Sequence, residues 1–370
     1  MECAARSRLT RFGLAFLDLA PAMPASDRMG TSCPFYLRSL MPCAAEHPSL
    51  TWIVVLNWNG AEDTIGCIDA VRTLTGGRWR LAVCDNASGD DSVPRLRAAL
   101  RERFGDRFAE LAEADVATTT PQHDVYLIRN AGNYGYAGGN NVGLRLAMRD
   151  PDMGFAWILN NDTLPQPGAL AALLGHAADH PQQGMIGSTL LYAHQPDLIQ
   201  GAGGARYNRW TGLVQHLGWN RSRTEAATFA NAPLDYIIGA AMFIRRAWLE
   251  QIGLMDDSFF LYFEEIDYCR RGRHRFDLGY APDSLVLHKE GGTTGGHRDQ
   301  ISWLADFYNL RNRLRITWRH FPYAMPTIIA GLCVTALNRL RRGQADRLPM
   351  LWRILWRFQT IRFEDVRRPG

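Results

Sequence analysis

Four short apolar runs, each rich in β-branched or aromatic residues and each stopping at a polar cluster, constrain this chain more than any other feature. They are Thr51–Asn57 (TWIVVLN), Arg80–Cys84 (RLAVC), Asp124–Ile128 (DVYLI) and Phe155–Leu159 (FAWIL). Runs of this length read as buried strands. Helical apolar spacing follows each one, in Ala61–Leu74, Ser92–Phe104, the segment reaching Arg149, and Pro167–His180. Such alternation predicts an α/β fold with a mainly parallel sheet and helices on both faces. Ligands of such sheets sit at the carboxyl ends of the strands. Asn57, Asp85, Arg129 and Asp162 therefore belong on one rim, although they are far apart in sequence.

Beyond Gly184 the pattern weakens. Gly184–Asp235 is glycine- and aromatic-rich and reads as weak strands and loops; Tyr236–Ile244 is apolar, Arg246–Ile252 helical, and Tyr280–His288 (YAPDSLVLH) a late strand. From Ile301 the chain reads as helical, with arginines and aromatics interleaved. Residues 301–370 hold thirteen Arg against four acids, a local +9 in a chain whose net charge is +4. That tail predicts either an interfacial helix on anionic lipid or core packing with a solvated Arg face. No nucleic-acid-binding module pattern appears. Met325–Leu337 is the most apolar stretch, but it is too short for a membrane span and is flanked by Pro326 and Asn338. The organisation expected is residues 1–49 as a disordered extension or an over-extended start ahead of Met41, 50–300 as the ordered domain, and 301–370 as a basic, aromatic helical extension. Arg6, Arg8 and Arg11 before Phe12–Leu19 make a poor signal sequence, because Asp18 interrupts the apolar run.

Several chemistries are excluded. The seven cysteines include no C-x-x-C pair, which argues against a structural zinc site or a disulfide framework and for a reducing compartment. Lys289 is the only lysine, so there is no Walker A loop, and neither G-x-S-x-G nor H-E-x-x-H occurs.

Four constellations carry possible chemistry. Asn160-Asn161-Asp162 at a strand end offers oxygen ligands to a hard divalent cation, or else an Asx turn. Phe259–Asp267 (FFLYFEEID) crowds three carboxylates among aromatics, which raises a carboxylate's pKa and makes it a better base near neutral pH; as a helix start, the same acids would face the dipole. His288, ahead of Gly291-Gly292-Thr293-Thr294, offers an imidazole ligand beside a segment suited to a mobile lid. Asn130–Asn141 (NAGNYGYAGGNN) lets backbone approach a ligand closely, but it lacks G-x-G-x-x-G spacing.

Read together, VVLNWNG, VCDNASGD, RNAGNYGYAGGNNVG, WILNNDT and FFLYFEEIDYCRR resemble the family 2 glycosyltransferases, in particular their rhamnosyltransferase-like branch. The likeness runs in order from about Thr51 to Arg315. It implies a GT-A type fold, a nucleotide-binding Rossmann-like sheet followed by the helical extension. It also implies roles by position. Asn57, Asn59, Asp85, Asn130, Gly135, Asn141 and Asn161 match donor-binding positions. Asp162 matches the last acid of the DxD-like metal motif, and His288 a histidine that completes metal binding. Glu265 matches the second acid of the xED motif, the general base. Gly239, Ala240, Glu264 and Asp267 match the vicinity of the sugar or acceptor. Two positions depart from the pattern: the DxD-like site keeps one carboxylate, and Glu265 stands where Asp is usual, which leaves Glu264 or Asp267 as alternative bases.

The function implied is inverting transfer of a sugar, with L-rhamnose as one option, from a dTDP- or UDP-linked donor to a glycan or lipid-linked acceptor in cell-surface polysaccharide synthesis. A Mn²⁺ or Mg²⁺ cofactor and a cytoplasmic location, peripheral on the inner face of the membrane, go with it. A non-catalytic nucleotide-sugar or glycan binder on the same fold is the alternative.

Overall fold

The computed structural model describes residues 50–289 and 302–366. The first half contains β1 (Leu50–Asn57), α1 (Ala61–Arg72), β2 (Trp79–Asp85), α2 (Ser92–Phe104), β3 (Phe108–Ala112), β4 (Val125–Arg129), α3 (Gly135–Met148), β5 (Met153–Asn160), β6 (Thr163–Pro165) and α4 (Ala169–Asp179). The second half adds β7 (Gln183–Tyr192), β8 (Gln195–Ala202), β9 (Gly204–Asn208), β10 (Leu213–His216), β11 (Tyr236–Ile237), β12 (Ala241–Arg245), α5 (Arg246–Ile252), α6 (Glu264–Gly272) and β13 (Asp277–His288). The helices α7 (Trp303–His320), α8 (Met325–Arg341) and α9 (Leu348–Arg357) follow.

The main sheet has the order β3-β4-β2-β1-β5-β12-β7-β13-β6, with β8 beside β7. The four strands expected from the apolar runs pair in parallel, β3 joins them parallel to β4, β13 runs parallel to β7, and β12 enters antiparallel between β5 and β7. The sheet is thus mostly parallel but mixed. Alternation along β1 builds both faces: Trp52 and Val54 join one core cluster with Val142 and Leu146 of α3, while Ile53 and Val55 join the other with Ile68 of α1, Leu96 of α2 and Leu170 of α4. Each such fully buried side chain contributes about 1.5–3 kcal/mol.

Two expectations need correction. Gly184–Asp235 is not a region of weak strands. It holds most of β7, a ten-residue strand in the sheet interior, then β8, and then β9 and β10 of the separate small sheet that β11 completes. The tail packs as the core reading expects, with Arg341, Arg342, Arg353 and Arg357 exposed. Its helices pack their own cluster of Phe307, Leu314, Ile328, Leu332, Met350 and Ile354, and Arg311 is buried against backbone carbonyls. Trp318, Trp352 and Trp356 remain exposed. Pro326 also fails to interrupt its helix. It sits in the first turn of α8, where no intrahelical N–H bond is lost. Pro322–Arg341 is consequently a continuous 20-residue helical stretch, long and apolar enough by composition to cross a membrane, with 22% of its 18-residue apolar window buried. The readings made for residues 1–49 and for the Gly291–Thr294 segment fall outside the described residues.

Candidate active site

The ends of β1 and β2 meet through side chains. Asn57 Nδ2 donates to Asp85 Oδ1 at 2.7 Å and to Ser88 Oγ at 3.1 Å, and the Thr64 hydroxyl donates to Asn57 Oδ1 at 2.7 Å. Both Asn57 and Asp85 are buried, so they shape the β1–α1 and β2–α2 loops from beneath. Asn59 stands on the rim with φ of 51° and accepts the Gly89 N–H at 2.9 Å. Asn161 reaches back across the rim, its amide donating to Thr64 Oγ1 at 3.1 Å.

The glycine-rich loop is tied to β2 by Asn86. Asn130 donates to Asn86 Oδ1 at 3.1 Å, and Asn86 Nδ2 donates to Asn133 Oδ1 at 2.8 Å. The helix starts earlier than its glycines suggest, at Gly135. At φ of 67°, a Cβ on Gly135 would lie 2.1 Å from the Phe260 carbonyl oxygen, so glycine is required there for packing against the loop ahead of α6. Gly139 packs on Leu56, and Asn141 holds the Met255 backbone through both ends of its amide.

Asp162 follows β5 and His288 ends β13. Pairing of β13 with β6 sets His288 opposite Thr163, the neighbour of Asp162. His288 Nε2 lies 3.2 Å from Asp162 Oδ1, and Nδ1 donates to Gln200 Oε1 at 2.8 Å. Burial pushes the Asp162 carboxyl up, but the hydrogen bond and charge of His288 more than offset this and hold it below the usual range. Among the described residues no cluster of three or more His, Cys, Asp or Glu gathers to hold a metal. One carboxylate and one imidazole oriented by Gln200 suit a cation that takes its remaining ligands from diphosphate and water.

Two hydrogen bonds tie the end of β5 to the Gly239-Ala240 segment and to α3. The Asn160 N–H donates to the Ala240 carbonyl at 3.0 Å, and the Tyr136 hydroxyl donates to the carbonyl of the adjacent Gly239. Tyr136 in turn lies in the field of Glu264 and Glu265: burial raises its pKa first, and the two glutamates raise it further. Gly239 and Ala240 thus bridge the end of β5 and α3.

Glu264 and Glu265 open α6, yet their environments differ. Glu264 is buried, and desolvation followed by the charge of Glu265 pushes its pKa well above the usual carboxylate range. Glu265 is half-buried and pushed up by desolvation to about 7. Asp267 is unsuited to the role of alternative base. Burial pushes its carboxyl up, but His320, Arg319 and Arg271 bind it at 2.8, 2.9 and 2.9 Å and bring it to about 2.

The loop feeding α6 is strained: Phe260, Tyr262 and Phe263 have φ of 65°, 66° and 71°. Such positions cost about 1–3 kcal/mol each and persist only where the surroundings enforce them. Here α7 does so. Asn312 Nδ2 lies 2.8, 2.8 and 2.9 Å from the carbonyls of Phe259, Leu261 and Tyr262, and Arg311 Nη2 donates to Ser258 and Phe259. Sequence reasoning passed over Asn312 and Tyr136. The unusually polar Arg311-Asn312 pair inside an apolar helix face was the only signal for the first.

Comparison with known proteins agrees with this architecture. The family model for glycosyl transferase family 2 matches residues 52–253. The chain is 28% identical over 178 residues to the low-salt glycan biosynthesis hexosyltransferase Agl10 of Haloferax volcanii, covering 45% of this chain and 52% of that protein. It is 29% identical over 207 residues to the N-acetylglucosaminyl-diphospho-decaprenol L-rhamnosyltransferase of Mycobacterium tuberculosis, covering 49% and 64%. The chain therefore spans between half and two thirds of the length of these curated relatives. Among solved structures, GalNAc-T7 with UDP, GalNAc and Mn²⁺ superposes with a TM-score of 0.50 at 14% identity, over 74% of this chain and 48% of that one. Residues 1–349 of S. aureus TarS with UDP superpose at 0.50 and 10% identity, over 85% and 82%. These two structures speak for the fold, which is of GT-A type with added C-terminal helices. By the span of the family match and the order of its motifs, the chain belongs to glycosyl transferase family 2.

Proposed function

We propose that this chain is a metal-assisted, inverting glycosyltransferase that moves a sugar from a nucleoside diphosphate to an acceptor hydroxyl. The observation that supports this reading is the Asp162–His288 pair, its ring held by Gln200, in a fold that also carries Glu265 at the start of α6. In this reading the pair grips the diphosphate and Glu265 supplies the base.

Glu265 is the base, and Glu264 is its protonated neighbour. The two share an environment that separates their pKa values, with Glu264 buried and Glu265 half-buried. Ionised Glu265 takes the proton from the acceptor hydroxyl as its oxygen bonds to the anomeric carbon and the bond to the diphosphate oxygen breaks. A single displacement of this kind inverts the configuration. Asp162 and His288 are the residues that would hold Mn²⁺ or Mg²⁺, which when bound neutralises charge on the leaving diphosphate. Asn57, Asp85 and Asn59 fix the rim where a base and ribose would lie; Asn130, Gly135, Asn141 and Asn161 set the loops around it.

L-rhamnose as the sugar and a lipid-linked acceptor are the choices that the mycobacterial relative's name favours. Exposed Trp318, Trp352 and Trp356, with the arginines of α8 and α9, support peripheral attachment to an anionic membrane from the cytoplasmic side. A thermal-shift screen of nucleotide sugars with and without Mn²⁺ tests the reading. Stabilisation by one dTDP- or UDP-sugar that needs Mn²⁺ is expected. No shift with any donor would overturn the transferase assignment, and binding without turnover would favour the non-catalytic alternative.

A further inference from the structure

Trp219 stands at the same rim as the Asp162–His288 pair, and the mechanism above makes no use of it. β7 and β13 run parallel and end together, with Tyr192 directly opposite His288. Partners in such a ladder send their side chains to the same face. The Trp219 indole N–H donates to the Tyr192 hydroxyl at 2.9 Å, so the indole lies one tyrosine side chain away from the rung that carries His288. A second path leads to the same place. The Asn220 N–H donates to the carbonyl of Ile199 in β8 at 2.8 Å, and the next residue, Gln200, holds His288 Nδ1 at 2.8 Å.

The chain is built to present this side chain. Gly218 and Asn220 flank it with φ of 68° and 58°, both in the left-handed region that glycine and asparagine enter most readily. Backbone hydrogen bonds fasten the turn on both sides. The Arg221 N–H donates to the Gly218 carbonyl at 2.9 Å, the Ile199 N–H to the Arg221 carbonyl at 2.9 Å, and the Ala202 N–H to the Leu217 carbonyl at 2.8 Å. Single exposed apolar side chains are ordinary on a protein surface. Trp219 differs in that its turn is locked and its N–H anchored while 53% of the residue stays open to solvent. The entropy of ordering the indole is lost on folding, so a ligand that packs on it meets a preorganised face.

Position decides which part of a donor meets that face. Asp162 follows β5; in the sheet order β1 and β2 lie on one side of β5, and β7 lies on the other. Asn57 and Asp85 end β1 and β2, where the base and ribose would lie. A nucleotide sugar carries its sugar directly on the terminal phosphate. With the base on the β1–β2 side and the diphosphate at Asp162 and His288, the sugar extends towards the β7 side, where Trp219 stands. The C–H faces of a pyranose are apolar and its hydroxyls project from the ring edge, so it packs on an aromatic face.

We propose that Trp219 is the platform on which the ring of the donor sugar packs, and that it sets how much the sugar adds to donor affinity. This rests on the reading of Asp162 and His288 as the diphosphate grip. The test is calorimetry of the full chain with Mn²⁺, comparing UDP with UDP-glucose and UDP-N-acetylglucosamine, and dTDP with dTDP-L-rhamnose. For the sugar nucleotide that binds tightest, the ratio of its affinity to that of its bare diphosphate should fall by about tenfold in W219A. Binding of the bare diphosphate should stay at the wild-type level, and W219F, which restores an aromatic face, should recover most of the ratio. Trp219 is exposed, so W219A removes no core packing. Mn²⁺-dependent diphosphate binding with an unchanged ratio in W219A would sink this inference alone, as would an equal loss for the sugar nucleotide and the bare diphosphate. A wild-type chain that binds none of these nucleotides in a Mn²⁺-dependent way would instead remove the grip and this inference together.

Discussion

His288 Nε2 faces Asp162 Oδ1 at 3.2 Å, and Gln200 holds the other ring nitrogen at 2.8 Å. Gln200 therefore fixes the ring so that Nε2 points at the carboxylate, as the outer partner of a metal ligand does. D162N should abolish Mn²⁺-dependent nucleotide binding. Q200L, which touches no ligand, should weaken Mn²⁺ affinity by about 10–100-fold. Calorimetry of Mn²⁺ with nucleotide present measures both. Unchanged Mn²⁺ dependence in D162N would contradict the metal assignment.

The raised pKa of Glu265 makes two pH effects expected. Turnover should rise as pH passes through about 7, because the base must be ionised. Stability should move the other way. A carboxyl whose folded pKa lies above its unfolded value binds the extra proton in the folded state, so stability falls as pH climbs from the ordinary glutamate range to about 7. E265Q should flatten that part of a stability–pH curve measured by urea unfolding. A turnover profile inflecting near 4.5, the ordinary value, would contradict the desolvated environment.

Asp267 should behave as a strut. Its folded pKa of about 2 lies below the ordinary 3.8, so its contribution is present above 3.8 and is lost as pH falls towards 2. D267N leaves Arg271, Arg319 and His320 without their shared carboxylate. It should destabilise the protein by about 3 kcal/mol in urea unfolding at neutral pH. A loss within experimental error would show that the cluster is not structural.

Asn312 should act on catalysis through the loop it clamps. N312A removes the amide from three carbonyls in the strained segment ahead of Glu265. A displacement of the base by about 1 Å lowers turnover by about 10²-fold. kcat should fall by that order while nucleotide-sugar binding stays unchanged. Equal losses in binding and turnover would point to general unfolding.

The legible part of this molecule is the part governed by local pattern. Thr51–Asn57 alternates between two buried faces, so its strand was visible, and the polar cluster after each such strand marked the rim. α2 and α5 fall on the residues expected. β7 was obscured because its interior carries Gly187, whose Cβ would lie 2.0 Å from the Gly203 carbonyl oxygen; close backbone approach looks like loop composition in sequence. β3 was missed because every residue of FAELA is only half-buried, at the edge of the sheet. Asp162, His288 and Glu265 come from motif likeness, and the structure pairs the first two at 3.2 Å. Tyr136 and Asn312 were not readable in that way, since their importance lies in contacts with Gly239 and the Phe259–Tyr262 carbonyls, which no spacing encodes. The glycines of Asn130–Asn141 suggested ligand approach, but Gly135 is required by Phe260.

The central claim is that Glu265 is the base of a nucleotide-sugar transferase. Its most direct test is Mn²⁺-dependent turnover of the best-binding nucleotide sugar by wild type and E265Q, with donor affinity measured in parallel. Turnover lowered by at least about 10²-fold at unchanged donor affinity is the result predicted. Near-normal turnover in E265Q would contradict the account.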